Sequence, residues 1–220
     1  VKGGQEAGRG AQETDTAHAA GWHAALAEAW TAYLHGSYPI GAVIVDTGGQ
    51  VLARGRNRLG EERQVDGVIS GHDLAHAEIN ALLNLPGTPR PECHGWTLLT
   101  TVEPCPQCAG AMAMSGLRAV AYAAPDPWGG CTRLLTDDPY VRNKGIRVGR
   151  APQAVQRLAL RLMVHAIVEE QPGKRGAVLR SFAGAHPDDV TVAEALYTTG
   201  TLLALRDRRA PLTEALAVLA

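Results

Sequence analysis

Apolar residues recur at helical spacing soon after the start of the chain: Trp22, Leu26, Ala29 and Tyr33 fall on one side of a helix that the pattern opens at His18. His35-Gly36-Ser37-Tyr38-Pro39 breaks that period. Ile40 to Val45 is a short apolar run, Thr47-Gly48-Gly49-Gln50 reads as a turn, and Val51 to Arg54 resumes extended character; together they predict a hairpin. A long polar link runs from Asn57 to Asp73. His76 to Leu85 then has helical character, with Ile79, Leu82 and Leu83 on one face, and Pro86-Gly87 stops it. Trp96 to Val102 reads as a buried strand, and Pro106 to Met114 as a helix ended by Ser115-Gly116. Arg118 to Ala123 and Gly145 to Val148 read as further strands. Strands alternating with helices predict a three-layer α/β domain.

The two ends follow other patterns. Residues 1–17 are rich in Gly, Gln, Glu and Thr and read as a loose tail. Beyond Arg150 the chain turns helical, with Gln153, Arg157, Arg161 and His165 in a polar stripe expected to face solvent, and Leu158, Leu162 and Ala166 on another face. Gln171-Pro172-Gly173-Lys174 breaks the pattern; helix returns after Pro187-Asp188-Asp189, where an aspartate is placed to cap it, and again after Pro211. The expected division is a tail over 1–17, an α/β domain over 18–150 and a helical C-terminal extension over 151–220, without internal repeats.

Composition narrows the function classes. A chain of 220 residues buries one good core, and 45% hydrophobic with 20% charged residues is ordinary for a globular protein. No apolar run approaches the roughly 18 residues of a membrane span, and Val1 to Gln12 lacks the apolar centre of an export signal, so a cytoplasmic location is expected. The 21 basic and 22 acidic side chains argue against a generic nucleic-acid binder while leaving room for a local basic patch. The 4 cysteines point to metal or catalytic use rather than a disulfide scaffold.

Two short segments carry the chemistry: His76-Ala77-Glu78 at a helix start, and Pro104-Cys105-Pro106-Gln107-Cys108 on the turn from a strand into a helix. One histidine and a Cys-x-x-Cys pair offer zinc three ligands and leave a position for water, as catalytic zinc requires. A helix N-terminus favours thiolates over thiols, and zinc makes a water-derived nucleophile available near neutral pH. Glu78 lies close to His76 without having to be a ligand, so its carboxylate can act as both base and acid. Each residue has a plainer reading beside the sharp one. A lone Cys-x-x-Cys can be structural or redox-active, Glu78 a solvated helix-start carboxylate, and Asn57 a turn residue. Trp128, in Asp126-Pro127-Trp128-Gly129-Gly130, either stacks on a base or covers core. His72 and Asp73 can shape a pocket, with a helix-entry role the expectation for Asp73. A structural zinc on Cys93, Cys105, Cys108 and Cys131 would leave the His-Glu segment unexplained, so Cys93 and Cys131 read as free, partly buried thiols.

Four segments in order resemble the cytidine and deoxycytidylate deaminase superfamily, nearest the branch of tRNA adenosine deaminases, guanine deaminases and related base deaminases. They are Gly41-Ala42-Val43-Ile44-Val45, Gly55-Arg56-Asn57-Arg58, His72-Asp73-Leu74-Ala75-His76-Ala77-Glu78, and Val102-Glu103-Pro104-Cys105-Pro106-Gln107-Cys108-Ala109-Gly110-Ala111-Met112. His-x-Glu followed by Pro-Cys-x-x-Cys is the signature of zinc-dependent base deaminases. The resemblance implies a mixed sheet sandwiched by helices and zinc held by His76, Cys105 and Cys108 at two helix N-termini. It further implies Glu78 as proton shuttle, Asn57 and the backbone N–H of Ala77 on the base, and a homodimer. Histidine at position 76 sets the chain apart from free cytidine deaminases, and the two-residue gap from Cys105 to Cys108 from the riboflavin-pathway enzymes. The link before His76 is longer than in compact relatives by roughly Glu61 to Ser70, an insertion expected near the pocket mouth.

The expected activity is hydrolytic removal of an exocyclic amine from a small-molecule base or nucleoside. One alternative is adenosine deamination within tRNA, suggested by Arg142, Lys144, Arg147, Arg150, Arg157 and Arg161, which lie in a stretch, Pro139 to Val168, without an acidic residue. Another is a non-catalytic zinc scaffold, against which the intact Glu78 argues.

Overall fold

A computed structural model describes residues 18–170 and 176–220. The tail over 1–17 and the break at Gln171 to Lys174 lie outside the described residues. In chain order the elements begin with α1 (Ala19–Leu34), β1 (Gly41–Val45), β2 (Val51–Arg56), β3 (Gln64–Asp66), β4 (Val68–Ser70) and α2 (Ala77–Leu83). A 3-10 turn, Glu92–Gly95, leads to β5 (Thr97–Val102), α3 (Pro106–Ser115), β6 (Ala119–Ala124), α4 (Arg133–Asp137), α5 (Pro139–Arg142) and β7 (Arg147–Arg150). Then come α6 (Gln153–Glu170), α7 (Ala177–Ala185), α8 (Pro187–Thr198), α9 (Thr201–Asp207) and α10 (Leu212–Leu219).

The sheet runs β2-β1-β5-β6-β7, antiparallel among β2, β1 and β5 and parallel from β5 to β7. All of β1 is buried because both sheet faces are covered, which is why it is a continuous apolar run. Val43 and Val45 enter a core with α1 and α6, whereas Ala42 and Ile44 enter one with α2, α3, Leu135 of α4 and Val141 of α5. This is the expected three-layer α/β/α arrangement with a mixed sheet. Among the described residues no helix is long and apolar enough to cross a membrane.

Several expectations change. The polar link before His76 contains a hairpin, β3 paired antiparallel with β4 across Gly67, whose φ is +75°. On α2 the buried residues are Ala77, Glu78, Asn80 and Ala81, while Leu83 is half exposed. The cause is close packing: a Cβ at Gly55 of β2 would lie 2.2 Å from the backbone nitrogen of Ala81, so only small residues fit the contact. Asp73 does not cap α2; His76 occupies the N-cap position with extended backbone, and no side chain caps it. Nor does Asp188 or Asp189 cap α8, whose N-cap is His186.

The polar stripe on α6 is solvated only over its first half: Gln153 and Arg157 are exposed, whereas Arg161 and His165 are buried. The Arg161 guanidinium donates to Asp189 of α8 at 2.7 Å and to the carbonyls of Leu219 and Ala220 at 2.6 and 2.7 Å. His165 faces Tyr33 of α1, whose hydroxyl lies 3.3 Å from Nδ1, and the ring edges of Tyr33 and Tyr197. The Tyr33 hydroxyl donates to Glu169, which is paired with Arg206 of α9. Among the described residues no hydrogen-bond partner reaches His165 Nε2. Burial, aided by Arg206 and opposed by Glu169, pulls the imidazole down to about 4 from 6.5. An unfolded chain therefore takes up a proton below pH 6.5 that the folded chain refuses until about pH 4, so stability is full above that window and falls as pH drops through it. Wild type should lose about 2 kcal/mol more than His165→Gln on going from about pH 7 to about pH 5 in urea unfolding. Parallel losses in the two proteins would contradict this assignment.

Candidate active site

The two segments singled out in the sequence meet at the N-termini of α2 and α3. Cys105 is the N-cap of α3 in extended conformation, followed by Pro106 in the first turn, where proline lacks an N–H that would be unpaired anyway. His76 is the N-cap of α2. Its Nδ1 lies 3.4 Å from the sulfur of Cys105 and 3.4 Å from that of Cys108. All three ligand atoms fall within 4.8 Å of one another. Tetrahedral ligands at ordinary zinc–nitrogen and zinc–sulfur lengths stand about 3.6 Å apart, so both spacing and donor types suit zinc. Among the described residues no other trio of His, Cys, Asp or Glu side chains converges in this way. Cys93 and Cys131 are buried free thiols, the former directed at the carbonyl of Gly116.

Charge in the cluster points the same way. The Cys108 thiol, with help from His76, holds Cys105 down at about 4, so one thiolate is present at neutral pH. Cys108 is pushed up, first by Cys105 and then by burial and Glu78. His76 is raised by its hydrogen bond with Cys105. Two adjacent sulfurs and a carboxylate cannot all be anionic without a cation among them. A divalent ion held by the cluster removes that conflict.

Glu78 is buried rather than solvated. Its Oε1 accepts from the Thr100 hydroxyl at 2.9 Å, and its Oε2 lies 3.3 Å from the Cys108 sulfur. Burial pushes the carboxyl up; hydrogen bonds and His76 restrain the rise. Thr100 escaped the sequence reading, although a threonine pair in a strand buried at five of six positions was a usable signal. Asn57 is buried as well. Its backbone N–H donates to Ile40 and its Oδ1 accepts from Leu59 N–H at 3.0 Å, which fixes the amide and leaves Nδ2 as the donor outside that turn. The next residue, Arg58, donates to the carbonyl of Ala75, tying this loop to the lead-in of His76 and Ala77. Trp128 is 60% exposed and does not cover core.

The β3–β4 hairpin is fastened beside this loop by Asn80 of α2. The Asn80 amide accepts from Ile69 N–H at 2.8 Å and donates to the carbonyls of Ile69 and Arg56 at 2.9 and 3.2 Å. Glu61, just before the β3–β4 hairpin, pairs with Arg56 and Arg58. Sequence reading expected an inserted stretch here but missed Asn80.

The profile described as the cytidine and deoxycytidylate deaminase zinc-binding region matches residues 15–124. The tRNA-specific adenosine deaminase of Bacillus subtilis is 42% identical over 114 residues, 50% of this chain and 64% of that protein. The chain thus spans less than two thirds of that relative. The cytosine deaminase of Candida albicans is 30% identical over 121 residues, 54% of this chain and 73% of that protein. Among solved structures, NE0047 in complex with 2,6-diaminopurine aligns with a TM-score of 0.51 and 21% identity over 71% of this chain and 84% of that one, a likeness of fold alone.

Proposed function

Because the chain belongs to the cytidine and deoxycytidylate deaminase family, we propose that it is a zinc-dependent hydrolytic deaminase of a free nucleobase or nucleoside. The observation that carries the chemistry is a buried carboxylate, Glu78, set against Thr100 and Cys108 beside the cluster of His76, Cys105 and Cys108. Those three side chains would hold zinc, which when bound acidifies water and acts as a Lewis acid. Glu78 takes a proton from the attacking water and passes it to a ring nitrogen. The water oxygen bonds to the amine-bearing ring carbon. Glu78 then takes the proton of the newly formed hydroxyl and delivers it to the amine as the carbon–nitrogen bond breaks, so that ammonia leaves an oxo product. Thr100 fixes one carboxylate oxygen so that the other keeps its aim. The Nδ2 of Asn57 and the N–H of Ala77, in the first turn of α2 where helix N–H groups lack intrahelical partners, orient the ring. A cytoplasmic homodimer belongs to the same proposal.

Support for a small substrate comes from the fate of the basic stretch. Arg157 and Arg161 both pair with Asp189, and Arg161 is buried. Arg150 lies 4.6 Å over the Tyr122 ring and donates to Gln156. These three of the six basic residues are engaged within the chain, while Arg142 and Arg147 of the same stretch are exposed. The second reading, deamination within tRNA, draws on the likeness to the Bacillus subtilis enzyme. Intact Glu78 speaks against a scaffold without activity. The deciding experiment compares ammonia release from free bases, nucleosides and anticodon stem-loops at about 0.15 M salt. Turnover of a base or nucleoside is expected. Efficient reaction of an adenosine-containing stem-loop, with none of any free base or nucleoside, would overturn the small-molecule choice.

A further inference from the structure

We infer that Glu103 is a positioning residue whose carboxylate fastens both ends of the loop from Asp126 to Thr132 to the cysteine-bearing turn, holding Trp128 where a bound base can stack on it. The inference rests on the proposed deaminase reading. Glu103 stands at the end of β5, directly before Pro104-Cys105, and its backbone N–H donates to Ala124 at 2.8 Å, extending the ladder with β6. One carboxylate oxygen accepts from the N–H of Asp126 at 3.3 Å. The other accepts from the N–H and hydroxyl of Thr132 at 3.3 and 2.6 Å. Cys131 N–H donates to the carbonyl of Pro104 at 2.8 Å, a second tie to the same turn.

The loop is shaped to fit this anchor. A Cβ at Gly130 would stand 2.5 Å from the Glu103 carboxylate and 2.5 Å from the Asp126 carbonyl, so the chain can thread against Glu103 only as glycine. Asp126 closes the turn from inside, its Oδ1 accepting from the N–H groups of Trp128 and Gly129 at 2.9 and 2.8 Å. An indole thus stands in solvent on a loop with little freedom, whereas Trp22 and Trp30 are buried in the cores. Stacking on a planar base suits such a group, and a preset loop avoids the cost of ordering it on binding. The loop contacts of Glu103 involve none of His76, Glu78, Cys105 or Cys108. Its role is therefore separable from metal holding and proton transfer.

The test compares wild type with Glu103→Ala, Glu103→Gln, Trp128→Ala, Trp128→Phe and the Glu103→Ala/Trp128→Ala double variant. It reads KM and kcat on the bases, nucleosides and stem-loops above, with zinc content, oligomeric state and acrylamide quenching of tryptophan emission. Glu103→Ala and Trp128→Ala should each raise KM about 10-fold with kcat within about 3-fold and zinc unchanged. The double variant should be little worse than either, since both remove one interaction. Trp128→Phe should restore most of the loss. Glu103→Gln, which can still accept from Thr132, should fall between wild type and Glu103→Ala. Glu103→Ala should also make Trp128 more quenchable, a readout that needs no turnover. Unchanged quenching, additive KM effects, zinc loss in Glu103→Ala, or a changed oligomeric state in Trp128→Ala would each overturn the inference. Absence of wild-type turnover on every substrate would instead refute the deaminase reading, leaving the clamp to be judged by quenching.

Discussion

Glu78→Gln should lower kcat by about 10²–10⁴-fold or more while zinc content and thermal stability stay close to wild type. The amide has nearly the same shape, so the buried site between Thr100 and Cys108 remains filled, and its oxygen can still accept from the Thr100 hydroxyl. What it cannot do is carry a proton from water to ring and from ring to leaving amine. One group serves several transfers here, so its loss is not offset by another step. Steady-state kinetics beside metal analysis checks this. A variant keeping a tenth or more of the wild-type rate would move the shuttle to another residue.

Cys108→Ala, and separately Cys105→Ala, should cost more than about 100-fold in zinc affinity, because removing even an outer-shell partner of a metal ligand typically costs about 10–100-fold. Each substitution leaves two donors from a set in which both sulfurs lie 3.4 Å from His76 Nδ1. Activity should vanish with the metal. Elemental analysis after dialysis against a weak chelator gives the readout. Stoichiometric zinc in both variants would dismiss the ligand assignment.

The candidate site was legible because its chemistry is local: His76 and Glu78 are two residues apart, Cys105 and Cys108 three, and both pairs sit at helix starts that punctuation marks. The cover on both sheet faces was legible in the unbroken apolar run of β1. What stayed hidden depends on partners far along the chain. Arg161 and His165 continue the spacing of a solvated face, and only the return of α8 with Asp189 and the approach of Tyr33 and Arg206 bury them. The buried side of α2 was misplaced because close helix–strand packing at Gly55 selects alanines over the larger Leu82 and Leu83. The hairpin in the polar link did have a local sign, Asp66-Gly67 between short β-branched stretches, a strong hairpin turn signal. Glu103 was visible only as part of a motif; its work lies in bonds to residues more than twenty positions away.

Hydrolytic deamination is tested most directly by running the reaction in water labelled with heavy oxygen and weighing the product. One labelled oxygen should appear on the ring carbon that held the amine, with ammonia released in equal amount, in wild type but not in Glu78→Gln. Ammonia release with an unlabelled product, or a labelled product formed equally well by Glu78→Gln, would contradict a hydrolysis in which Glu78 moves the protons.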